Sequence, residues 1–166
     1  MHFDLKSIST EAVPKALEKA KHYRLLNEPS LAESICLDIL TVAPSDQQAL
    51  VSLLLARTDQ FDHGVPMKLA EEVLSRIESE YERVYYAGLI WERQAHAHLN
   101  QHGPFTNANA YHALREAMIH YERAEAVRPH GNDDAILRWN ACARVLMGNP
   151  EIRPLPDAEF QPITGE

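Results

Sequence analysis

The greatest chemical capacity in this chain lies in the histidines of its second half: His96, His98, His102, His112, His120 and His130. Glu92 precedes His96 by four residues and Glu116 precedes His120 by four, so each pair shares one face of a helix. If those helices are antiparallel neighbours, four oxygen and nitrogen ligands meet between them. That is one reading: a helical metal- or small-molecule-binding protein, with catalysis open to it. A carboxylate-bridged bundle site uses glutamate and histidine three apart plus further glutamates, and this chain lacks that set. His98 and His102 could grip one metal from a helix face, but no third ligand is marked. HExxH, GxSxG and glycine-rich phosphate loops do not occur. Glu80 with Glu82, and Asp133 with Asp134, are better explained as acids at helix amino ends than as acid–base pairs. The expectation is a non-enzymatic protein with no catalytic, cofactor-binding or metal residue, and the Glu/His site stands as the alternative.

Tyr85 and Tyr86 point about 100° apart on a helix, so both cannot be core, and Tyr86 is a candidate for contact with a partner. Nucleic acid would need a basic patch beside it, which the nearby Glu78, Glu80 and Glu82 oppose. A formal charge of -8 argues the same way for nucleic acid and for anionic membranes, although 16 basic residues leave room for a local patch. No segment reaches transmembrane length without charges, and the opening MHFDLKSISTEAVPKA lacks a signal-peptide pattern, so a soluble cytoplasmic protein is expected. Cys36 and Cys142 sit in apolar helical patterns outside any CxxC pair and are expected to be buried free thiols.

The elements that would position these residues are helices. With 166 residues and 45% hydrophobic content, the chain supports one domain or one short array. Helices are expected over about 10–26, 31–42, 46–61, 67–78, 80–101, 109–127 and 133–147. Pro14 is tolerable in a first turn, and Leu17, Ala20 and Leu25 form an inner face with Lys15, Lys19 and Lys21 outside it. Ser30 with Glu33, and Ser45 with Gln48, have the spacing of capping boxes. Leu31, Ile35, Ile39 and Leu40 make the next apolar face, and LVSLLLA after it is apolar all round, as befits a helix covered on both sides. Gly88 near Trp91 suits a close helix contact. Asn132 is placed to cap the last helix, and residues 148–166 form a proline-punctuated tail beyond a single domain at 1–147.

Ala32, Cys36 and Ile39 before Pro44, and Ala117, Tyr121 and Ala124 before Pro129, repeat one grammar of a helix face closed by proline. The stretch from Val13 to Asp46 also has Ala20, Tyr23, Ala32 and Pro44 at the small, aromatic, small and proline positions of a unit of about 34 residues. Trp91, Ala95 and His98 open a later unit, and Trp139, Ala143 and Leu146 begin another. In this the chain resembles the tetratricopeptide repeat (TPR) family. The resemblance implies an all-α fold: antiparallel helix hairpins in a right-handed solenoid of about three pairs with a C-terminal capping helix. It also implies a scaffold that binds a protein or peptide on a concave face lined by the first helix of each pair. On that basis Arg57, Arg83, Arg93 and His98, with Asn140 and Arg144 on the last helix, are candidate partner contacts. Self-association into a homodimer through the terminal helix or tail is a further expectation.

Overall fold

The computed structural model describes residues 1–101 and 103–155, so His102, Pro156 and Pro162 lie outside the described residues. Among those described there are seven α-helices and no strand. α1 spans Val13–Leu25, α2 Pro29–Val42, α3 Gln47–Thr58, α4 Met67–Leu74, α5 Glu80–Asn100, α6 Thr106–Ala126 and α7 Asp134–Gly148. Each helix packs on the next in sequence, and α1 also touches α3 as α3 touches α5. The result is a stacked helical arrangement in which α3 lies against both α1 and α5.

Local chemistry explains most boundaries, and several expectations need correction. Pro14 does sit in the first turn of α1, but a 3-10 turn at Thr10–Ala12 precedes it. Leu25 is not on an inner face: it is 86% exposed, because the chain reverses at Asn27 (φ 59°) before any neighbour covers the last turn. The Ser30–Glu33 capping box does not form. α2 starts earlier, with Pro29 at its amino end, and the Glu33 carboxylate is drawn to Arg57 of α3 and to Gln60 just beyond it. Leu31 is accordingly half exposed rather than core. At α3 the cap is Asp46 and not Ser45, its carboxylate accepting from the Ala49 amide at 2.9 Å. α4 stops at Leu74 because the Ser75 hydroxyl donates to the Glu72 carbonyl, after which Ile77 is buried from an irregular segment.

Other readings hold. Ala32, Cys36, Ile39, Ala117, Tyr121 and Ala124 are all fully buried, and α3 buries residues on every side. Cys36 and Cys142 are buried free thiols. Ser79 caps α5 by accepting from the Glu82 amide, and the Asn132 side chain accepts from the Asp134 amide at the start of α7. The core has two clusters. One joins α1 to α4 and takes Ile90 and Ala97 from α5; the other joins Ala95 of α5 to α6, α7 and Ile152 of the tail. α5 therefore belongs to both, and it carries the polar residues described next.

Candidate functional site

Two polar constellations lie along α5, on different sides of it. The first is on the face shared by α1, α3 and α5. A cleft of about 300 Å³ opens there, lined by Lys21 and Arg24 of α1, Gln47, Gln48, Val51, Ser52 and Leu55 of α3, and Glu82 of α5. Periodicity builds it: Lys21 and Arg24 are three apart, and Gln48, Val51, Ser52 and Leu55 fall on one side of α3. Beside it, Arg24 donates from Nε to Asp59 Oδ2 at 2.7 Å, and Arg93 Nη2 stands 3.8 Å from Asp59 Oδ1. The Arg93 contact is too long for a hydrogen bond. Its Nε is buried without a hydrogen-bond partner among the described residues. Arg24 and Arg93 thus share one carboxylate, and Lys21, whose ammonium lies 3.5 Å from Gln48 Oε1, adds a third cation to a cleft that Glu82 also lines. Tyr86 is half buried against the first core cluster, and burial, followed by Glu82, pushes its phenol up to about 12, with Arg24 acting in the opposite sense.

The second constellation is the interior of α5, α6 and α7. Glu92 is only 5% exposed. Its Oε2 accepts from the Tyr121 hydroxyl at 2.6 Å and its Oε1 from Arg138 Nη1 at 3.1 Å, while His96 lies 4.0 Å away. Burial, the largest single influence, lowers the Arg138 pKa, but Glu92 together with Tyr85 and Tyr121 raises it on balance and keeps the guanidinium charged. Burial, then the charge of Glu92, pushes the Tyr121 hydroxyl far up, so it stays a donor. This geometry bears directly on the Glu92, His96, Glu116 and His120 set. Both Glu92 oxygens are occupied by protein donors, and His120 is lowered mainly by burial and then by Arg123, with Glu116 opposing. No cluster of three or more His, Cys, Asp or Glu suited to a metal is present among the described residues.

The remaining candidates disperse. Arg57 faces the other side of α3, donating to Glu33 at 2.9 Å and to the Leu69 carbonyl at 2.7 Å, and so ties α2, α3 and α4 together. Arg83 donates to the carbonyls of Ile77 and Glu78 before α5. His98 pairs with Gln94 at 3.3 Å, and burial lowers its pKa. Asn140 is half buried and Arg144 exposed, both on α7. Tyr85 and Tyr86 are both half buried and edge to face at 5.2 Å, so neither is the freely exposed aromatic expected. Of the candidates, only Arg93 and Tyr86 adjoin the shared cleft. Lys21, Arg24, Gln48 and Asp59 were missed, although Lys21 and Arg24 lie on the first helix of the first pair at the same spacing that marks a helix face.

Among the described residues, no helix is long and apolar enough to cross a membrane. The chain matches no protein-family model, no curated protein and no solved structure.

The buried thiols give a pH prediction. Burial raises Cys36 from 9.0 to about 11, and burial followed by Glu92 raises Cys142 from 9.0 to about 12. Because the folded values exceed the unfolded one, their contribution is complete below pH 9 and is lost as pH rises through about 11 and about 12. Urea midpoints should fall across that window. The fall should be shallower in a Cys36→Ala/Cys142→Ala variant, and an equal slope would remove the thiols as its cause.

Proposed function

We propose that the protein is a non-catalytic helical-repeat scaffold of TPR type whose α1–α3–α5 face binds an extended acidic segment of a peptide or protein. One observation carries this reading: Lys21 and Arg24 line a cleft shared by α1, α3 and α5, and Arg93 stands beside it against the same Asp59 carboxylate as Arg24. Asp59 orients Arg24 and offsets repulsion among the cations in the free protein. Lys21 and the partly exposed guanidinium of Arg93 are the groups available to an incoming carboxylate, and Val51 and Leu55 offer apolar contact in the cleft. Packing of α1 on α3 and of α3 on α5 supports a hairpin array, since stacked pairs bring their first helices together. The acidic balance of the rest of the chain repels an acidic segment elsewhere and favours this one patch.

Fluorescence polarisation with labelled acidic, neutral and basic peptides of matched length tests the reading. Acidic peptides should bind preferentially and lose affinity as salt increases. Lys21→Ala and Arg93→Ala should each weaken binding roughly tenfold, about 1.4 kcal/mol. Neither side chain carries a short ion pair, so the fold should survive both changes. Equal binding of acidic and basic peptides, or variants indistinguishable from the parent, would exclude this face as the site.

A further inference from the structure

The terminal helix has a second face that the acidic-segment reading does not use. Ala135, Arg138, Trp139, Cys142 and Leu146 turn α7 toward α6 and Glu92. Opposite them, Asp134, Leu137, Ala141, Arg144 and Gly148 follow one another at alternating three- and four-residue steps, which makes a straight seam along the helix. Leu137 is 63% exposed, and Met147 at the margin is 75% exposed. Asp133 is engaged by Arg128 and Arg138 by Glu92, whereas Asp134 and Arg144 are exposed and form no ion pair among the described residues.

We infer that this seam pairs with the same seam of a second copy, the two α7 helices antiparallel about a two-fold axis near position 139. The order of residues selects that partner and orientation. Turning one helix over sets Asp134 against Arg144 of the other copy and Leu137 against its Ala141, and symmetry makes each contact twice. A parallel pair would instead set Asp134 against Asp134 and Arg144 against Arg144. Ala141 gives Leu137 a shallow socket, and Gly148 lets the amino end of the facing helix approach closely. Helix dipoles also oppose favourably in this orientation. A head-to-tail contact with the exposed side of α1 is less complementary, because Lys15, Lys19 and His22 there would meet Arg144. The seam from Asp134 to Arg144 is about 15 Å long, so the interface is smaller than that of a tight dimer and the association is weak and concentration-dependent.

Sedimentation equilibrium of the full chain from about 10 µM to about 1 mM reads this directly. The expected result is a reversible monomer–dimer equilibrium. Asp134→Arg alone and Arg144→Asp alone should each raise the dissociation constant about tenfold, and the double swap should return it to within about threefold of the parent. Leu137→Asp should abolish the dimer without changing the melting temperature of the dilute protein. A monomer at every concentration, species growing beyond the dimer, or a double swap no better than either reversal would overturn the inference. None of these outcomes depends on whether the α1–α3–α5 face binds acidic segments.

Discussion

Replacing Glu92 with alanine is expected to lower the free energy of unfolding by about 2–3 kcal/mol, the cost of leaving a buried donor unsatisfied plus a small term for an ion pair whose Arg138 side is 38% exposed. The loss comes from what stays behind more than from what is removed. The Tyr121 hydroxyl, on a residue with no exposed surface, would lose its acceptor within the α5–α6–α7 core, and the Arg138 guanidinium, on a part-exposed side chain, would turn to water. Glu92→Gln should cost less, since one amide oxygen still receives a hydrogen bond, but the charge of Arg138 would be uncompensated. Urea titration followed by tryptophan fluorescence is suited to this, because Trp91 and Trp139 border the same cluster. A double-mutant cycle with Arg138→Met isolates the pair, and Arg138→Met in the Glu92→Ala background should recover part of the loss. A loss under about 1 kcal/mol for Glu92→Ala would mean that water reaches the orphaned groups and the three helices are not locked by this carboxylate.

Gly88→Ala is the second large effect, and here two rules predict opposite signs. Helix propensity alone favours alanine over glycine by about 1 kcal/mol inside α5. Space opposes it: a Cβ on Gly88 would lie 2.7 Å from Tyr121 Cε1 and 2.8 Å from Cδ1. The ring has little room to retreat. Its hydroxyl is held by Glu92 at 2.6 Å, and the Tyr85 ring stands against it at 5.8 Å between centroids. Overpacking of this kind costs about 1–3 kcal/mol, so a net destabilisation is expected despite the better helix former. Gly88→Ala combined with Tyr121→Leu should be closer to additive-neutral, since the colliding ring is gone. A higher melting temperature for Gly88→Ala would show that α6 can shift away from α5 without losing the Tyr121–Glu92 bond.

Gly88 also marks where sequence reasoning stops. Its fit to a close helix contact is legible, but that the contact is the Tyr121 ring of the following helix is not. Glu92 was legible as a residue with chemical capacity, yet its spacing to His96 pointed to metal ligation. In the fold the carboxylate turns inward to donors 29 and 46 residues away in sequence. Arg57 lies on a helix of the expected kind, but it faces α2 and α4, where Glu33 accepts from it. Lys21 is legible only as a charge outside the inner face of its helix, and nothing local pairs Arg24 with Asp59 or brings Arg93 to the same carboxylate.

By itself the sequence determined that this chain is a series of helices, roughly where each runs, and which stripe of each is buried. Those properties depend on residues within one or two turns of each other: apolar steps of three and four, a proline in a first turn, a serine or aspartate before an amide. Only the tertiary structure decided which charged side chains meet, which helices share the cleft, and which carboxylate is sealed in the core. These contacts join positions such as Arg24 and Asp59, 35 residues apart, through the rotation of one packed helix on another. A turn of one residue's angle, about 100°, sends a side chain to a different neighbour, and no local pattern specifies that angle.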